Sequence, residues 1–343
     1  MSERAVARDR ATATLLGGAL GDALGMPTQL LSPPDILDAY GFVDHFVTPS
    51  PDHPVSKGLS AGTITDDTEQ ALLLGRILVE SRQGFDHRRW VNALVEWERD
   101  VKARGSYDLL GPSTKRAIDA INDGIAPEEA GRGGDTNGAA MRIAPVGIMM
   151  PTEPLDALVD KVAETCRATH NTSVAIATAS AVAAAVSCGI AGGNWRAAVE
   201  RATQAATLGT QLGYGLVEPD VAGRIARACE IVRGKSDREA IPLIAERIGT
   251  GVAALESVPA AFAVLEASQG DPWRAAVIGA NLGGDTDTIG AIAAGMAAAC
   301  AGTSGLPSDR IGQLRGIDID SVKSLAADLV AARFERSGGK EAA

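Results

Sequence analysis

GGDTDTIGAIAAG, residues 283–295, sets two aspartates and two threonines in four consecutive positions and then runs into isoleucine, alanine and glycine. A helix start explains part of this pattern. Asp and Thr side chains accept hydrogen bonds from the free N–H groups of a first turn, and a carboxylate suits the positive end of the helix dipole. One cap needs one such residue, so the surplus asks for another cause. TITDDTEQALLLG, residues 63–75, has the same form: Thr65, Asp66, Asp67 and Thr68 precede a strongly helical stretch, and Asp66 with Glu69 fits a capping box.

Around these two mouths the chain reads as helix almost throughout. In 68–81 the apolar residues Leu72, Leu73 and Ile77 recur at helical spacing beside Arg76 and Glu80. Similar patterns cover about 11–24, 86–100, 113–122, 155–168, 173–190, 195–207, 219–233, 237–247, 254–268, 272–281, 287–300 and 319–336. Alternating strand-like runs are nearly absent, and LSPPD, TPSPDHP, DGIAPEE and MMPTEP mark connections. The expected class is all-α, a single domain over 1–343 with an ordered core at about 10–336 and a short disordered tail, RSGGKEAA. The 343 residues are 45% hydrophobic but only 3% aromatic, with 39 glycines, which points to a core of small side chains and closely packed helices.

Charge narrows the partners. Lys and Arg number 32 against 43 Asp and Glu, a net charge of −11, which disfavours nucleic acid and anionic membranes as non-specific partners. The apolar run 174–193 is rich in Ala, Ser, Thr and Gly and reads as a buried helix rather than a membrane span. No secretory signal is expected at the N-terminus. Cys166, Cys188, Cys229 and Cys300 lack paired metal or redox spacing and read as buried thiols of a cytoplasmic protein. A small ligand or a metal is the better expectation; the oligomeric state stays open.

If the fold joins the two mouths, it assembles Thr65, Asp66, Asp67, Asp285, Asp287 and Thr288. Clustered carboxylates repel unless a cation or dense donor network offsets them. An all-oxygen set suits Mg²⁺ or Mn²⁺ and suits zinc poorly. Enough ligands are present for two such ions. Gly62, Gly283, Gly284 and Gly290 surround the mouths, and GGDTNGAAMRIAPVG (133–147) adds a third glycine-rich turn. Such turns let backbone N–H groups approach a phosphate, so a phosphorylated or nucleotide-like substrate is expected.

These residues resemble the ADP-ribosylglycohydrolase family, which includes the dinitrogenase reductase-activating glycohydrolase and the ADP-ribosyl-acceptor hydrolases. The resemblance runs from about residue 12 to 300 through GGALGDALGMP (17–27), TDDTEQALLL (65–74), TNGAAMRIAPVG (136–147), THNTSVAI (169–176), ESVPAAFAVL (256–265) and GGDTDTIGAIAAG (283–295). LLGPSTKRAIDAINDG (109–124) looks like a bacterial subgroup associated with nucleoside and sugar metabolism. The resemblance implies an orthogonal many-helix bundle with two Mg²⁺ or Mn²⁺ ions on Thr65, Asp66, Asp67, Asp285, Asp287 and Thr288. It assigns the diphosphate and ribose to Thr136, Asn137 and Gly138 with Met141 behind them, the phosphate side to Gly111 through Ser113, and a ligand contact near the adenosine to His170. Gln29 departs from the pattern, since many members carry glutamate there; an amide supplies neither charge nor a base.

The expected reaction is metal-assisted hydrolysis at the anomeric carbon of ADP-ribose or a related ribosyl group, with Asp67 and Asp287 as candidate bases. Two alternatives stand beside it: a nucleoside or ribosyl-metabolite hydrolase, and a non-catalytic ADP-ribose- or metal-binding protein. Asp100 is expected on the surface. Trp90 and Trp97 read as core rather than as a base-stacking platform, and His45, His53 and His87 receive no role.

Overall fold

The computed structural model describes residues 2–81, 84–105, 110–215 and 219–338. The expected tail lies mostly outside them. Among the described residues the chain is helical with no strand, and three isolated bridges (Thr63 with Arg315, Thr136 with Ala253, Thr172 with Tyr214) are the β contacts. One apolar cluster runs from Ala7 to Val330 and joins most of the helices.

The N-terminal helix Glu3–Gly25 and the helix Thr286–Ala301 form the central antiparallel pair. Their contact is built from residues without bulk. A Cβ on Gly17 would lie 2.5 Å from Ala298 Cβ, one on Gly21 would lie 2.1 Å from the Gly290 carbonyl oxygen, and one on Gly25 would lie 2.5 Å from the Asp287 nitrogen. The three glycines stand four residues apart, so they share one helix face. That register sets the C-terminal end of the first helix against the acidic start of the second. Ser173–Ile190 packs on the same pair: a Cβ on Gly189 would lie 2.7 Å from Ala299. It is long and apolar enough to cross a membrane, but 89% of it is buried inside the protein.

Several elements differ from the periodicity. The first helix begins at Glu3, eight residues before the expected start, because residues 3–10 are polar and carry little apolar stripe. The LSPPD connection opens a helix, Pro33–Tyr40, capped by Ser32 and Asp35 in a capping box; proline suits the first helical turn, where no N–H is needed. Pro127–Ala130, Gly138–Met141, Ala144–Met149 and Ser308–Ile311 are further short helices. Cys166 and Cys229 are buried, as expected, whereas Cys188 and Cys300 are half-buried. Trp90 is fully buried, but Trp97 is only half-buried and lines a cleft. Asp100 is exposed.

Candidate metal and substrate site

The two acidic mouths meet. Thr288 Oγ1 donates to Asp67 Oδ2 at 3.2 Å, bridging 221 residues of sequence. Asp67, Asp285 and Asp287 are buried, as are Thr65 and Thr288. At neither mouth does the N-cap side chain cap its own helix, although Asp287 Oδ1 accepts from the Thr288 N–H at 3.0 Å. Thr65 and Asp285 occupy the N-cap positions of Asp66–Glu80 and Thr286–Ala301, and neither side chain makes a capping hydrogen bond.

The capping box proposed for Asp66 and Glu69 does not form. Asp66 is the first residue of its helix, and its Oδ2 accepts from Gln70 Nε2 at 2.9 Å. Glu69 points away and pairs with Arg104 and Trp97.

The cap comes from Asp22, one helix away. Its carboxylate accepts from the Thr65 N–H at 2.9 and 3.1 Å, the Thr68 N–H at 3.2 Å and the Thr65 hydroxyl at 2.7 Å. The Thr68 hydroxyl donates to it as well. Burial pushes the Asp22 carboxyl up to about 6 in spite of these donors. Its work is therefore structural, and it releases Asp66 and Asp67 from capping.

The second mouth is fixed by backbone. Gly283 and Gly284 both adopt φ of +74°, which other residues rarely tolerate. The Gly284 carbonyl accepts from the Leu30 N–H at 2.7 Å, its N–H donates to the Leu31 carbonyl at 2.9 Å, and the Asp285 N–H donates to the Thr250 carbonyl at 2.7 Å. Burial raises the pKa of Asp285, opposed by Asn137, the Asp287 carboxyl and the Thr288 hydroxyl. Two acids thus face each other out of water.

Asn137 Nδ2 donates to Asp285 Oδ2, which ties the glycine-rich turn to the acidic mouth. Met141 lines an apolar crevice together with Asp67. Gly138 packs against the His170 ring, where a Cβ would come within 3.0 Å, and close to Thr114 Oγ1. Ser113 follows Gly111, the N-cap of the helix Pro112–Asn122, and Arg116 of that helix donates to Ser113 Oγ at 3.2 Å and to the Gly133 carbonyl at 3.0 Å. The free N–H groups of this helix start stand beside the turn.

His170 has no exposed surface. Thr169 Oγ1 accepts from Arg142 Nη2 at 2.8 Å, so its own proton goes to His170 Nδ1 at 2.9 Å. His170 Nε2 then donates to Thr136 Oγ1 at 3.2 Å, an assignment that follows from the network. Burial lowers the His170 pKa well below its ordinary value, and Arg142 and Arg116 add to the shift. The imidazole supports the turn from below.

Gln29 is buried and held from two sides. Its side-chain Nε2 donates to Ser56 Oγ at 3.0 Å, and His53 Nε2 donates to its main-chain carbonyl oxygen at 2.9 Å. His53, given no role from sequence, therefore positions Gln29.

The family model for ADP-ribosylglycohydrolase matches residues 3–339. The chain belongs to the ADP-ribosylglycohydrolase family. This glycohydrolase is 34% identical over 299 residues to YegU of Escherichia coli (strain K12), covering 87% of the chain and 89% of that protein. It is 29% identical over 318 residues to the ADP-ribosylarginine hydrolase Tri1 of Pseudomonas putida (strain GB-1), covering 88% and 73%. A solved ADP-ribosylglycohydrolase-related protein complex superposes with a TM-score of 0.68 at 23% identity, over 95% of this chain and 99% of that one, which shows a shared fold.

Asp22, Gln70 and Arg142 are the supporting residues of the glycohydrolase that sequence reasoning missed. Arg142 Nη1 donates to Gln70 Oε1 at 2.7 Å, so Asp66, Gln70, Arg142, Thr169, His170 and Thr136 form one continuous chain of hydrogen bonds. Arg142 is buried, its guanidinium 5.1 Å from the Trp90 ring centre, and burial lowers its pKa to about 10. Only for Asp22 was a signal available, a charged residue inside an apolar helical run.

Among the described residues, no three carboxylate, imidazole or thiol groups stand as a ready-made metal cluster. The donor set still fits a hard divalent cation: it is all oxygen, and Asp67, Asp285 and Asp287 place three carboxyls out of water within it.

Proposed function

We propose that this chain is a divalent-metal-dependent hydrolase that cleaves the glycosidic bond at the anomeric carbon of an ADP-ribosyl or related ribosyl group. The observation that carries this reading is the meeting of two acid-rich helix starts, neither of which uses its N-cap side chain as a cap. Thr65, Asp66, Asp67, Asp285, Asp287 and Thr288 would hold two Mg²⁺ or Mn²⁺ ions. Bound there, the ions would neutralise the acids and polarise the attacking water and ribose hydroxyls.

The remaining work belongs to the chain. Thr136, Asn137 and Gly138 position the sugar and diphosphate, with Gly111, Ser113 and Arg116 on the phosphate side. Asp67 or Asp287 takes a proton from water as its oxygen bonds to C1. The bond from C1 to the leaving group breaks, and that group departs with the electron pair and receives the proton that the carboxylate took from water, which restores the carboxylate.

Gln29 favours a second reading, hydrolysis of a nucleoside or ribosyl metabolite, because its amide is bound to Ser56 and brings no charge to the site. The full-length protein with Mg²⁺ or Mn²⁺ is to be assayed on an ADP-ribosylated arginine peptide and on nucleosides. Release of ADP-ribose supports the first reading, and base release from nucleosides alone selects the second. Binding of ADP-ribose without turnover at saturating metal would leave a binding protein and contradict both.

A further inference from the structure

A cleft opens beside the first acidic mouth. Thr65 and Asp66 belong to its lining, and Leu59, Ile64, Val101 and Trp97 supply apolar and aromatic walls. Glu69 also lines it, but both of its oxygens are taken. Arg104 Nη1 and Nη2 donate to them at 2.9 and 2.8 Å, and the Trp97 indole N–H donates to Oε2 at 2.6 Å.

Two consequences follow. The indole is held by a hydrogen bond at its edge, so its ring lines the cleft in a fixed orientation. Arg104 also fills, on Glu69, the two-pronged seat that a guest guanidinium would need. A charged arginine-like group therefore finds its best partner occupied, whereas a flat neutral ring finds a fixed stacking surface.

We infer that this cleft receives the leaving group of the ribosyl substrate, and that it selects a neutral planar heteroaromatic ring of nucleobase type over a guanidinium. The inference rests on the ribosyl-hydrolase reading, since Thr65 and Asp66 link the cleft to the proposed reaction centre.

The test uses the full-length, Mn²⁺-free protein with ¹⁵N-labelled indole groups; the four tryptophans give separate signals, and Trp97→Phe assigns the relevant one. The probes are hypoxanthine and methylguanidine. Hypoxanthine should shift the Trp97 signal saturably, and methylguanidine should not. By titration calorimetry, which needs no indole at 97, Trp97→Ala should weaken hypoxanthine about tenfold or more, the loss of one stacked base, whereas Trp97→Phe should stay within a few-fold. Arg104→Ala, at an exposed position, should free Glu69 and let methylguanidine bind at least about fivefold more tightly.

Methylguanidine shifting wild-type Trp97 while hypoxanthine does not would overturn the inference, as would silence at Trp97 with both. These readouts need no turnover. A protein that binds hypoxanthine at Trp97 but hydrolyses nothing would refute the hydrolase reading and retain the cleft's ring selectivity; active hydrolysis with no base at Trp97 would refute the cleft alone.

Discussion

Thr288 Oγ1 and Asp67 Oδ2 lie 3.2 Å apart, so the first turns of two helices far apart in sequence share one buried hydrogen bond. This contact makes a single site of two patterns that each resemble an ordinary helix start. Asp67→Asn and Asp287→Asn should each keep the shape and lose the charge. Turnover of the ribosyl substrate should fall about 10²–10⁴-fold if the replaced group is the base, measured at saturating metal. For Asp67→Asn, stability of the metal-stripped protein should hold or rise, because one repelling acid has gone.

Asp22 should behave in the opposite way. Its carboxylate accepts from the N–H and the hydroxyl of both Thr65 and Thr68, and an amide would turn a donor toward some of them. Asp22→Asn should cost about 1.5–3 kcal/mol, read from the urea midpoint. Mn²⁺ affinity should drop about 10–100-fold, as for other residues that orient ligands.

The glycine contact between Glu3–Gly25 and Thr286–Ala301 sets the register of the site. Gly21→Ala would place a methyl 2.1 Å from the Gly290 carbonyl oxygen, and backbone on both sides resists adjustment. Stability should fall by about 3 kcal/mol, the upper end for overpacking. Because the shift also moves Asp22 against Asp287, Mn²⁺ titration of the folded variant should show weaker binding.

His170 makes the fold acid-sensitive. Its native pKa lies well below 6.5, so as pH drops through 6.5 the unfolded chain gains a proton that the native chain lacks. The stability is present above pH 6.5 and is lost as pH falls toward the native value, at about 1.4 kcal/mol per pH unit for one proton. His53 and His87 are shifted the same way by burial. Denaturant titrations of wild type and His170→Gln from pH 6.5 to 5 should differ in slope by about one proton, a comparison in which the buried acids cancel.

Much of this protein is legible in its sequence where the signal is local. Helical spacing locates Leu72, Leu73 and Ile77, and the surplus of acids marks Asp66, Asp67, Asp285 and Asp287. What sequence hides is the origin of the caps. Asp22 sits among Gly21, Ala23 and Leu24 and reads as an interruption, because its four partners stand 43 and 46 residues away. Gln70 and Arg142 are hidden likewise, since each acts on the other across 72 residues. The missed helix Pro33–Tyr40 has a different cause: paired prolines signal a turn and a first helical turn equally.

The most direct test is heat unfolding of the metal-stripped full-length protein, alone, with Mn²⁺, and with Mn²⁺ plus ADP-ribose, for wild type and Asp67→Asn. Wild type should gain about 2.7 kcal/mol at a hundredfold excess of Mn²⁺ over its Kd, with a further rise on ADP-ribose, and Asp67→Asn should lose most of the Mn²⁺ response. An unchanged wild-type midpoint at saturating Mn²⁺ and Mg²⁺, or an equal rise in Asp67→Asn, would contradict the two-ion site.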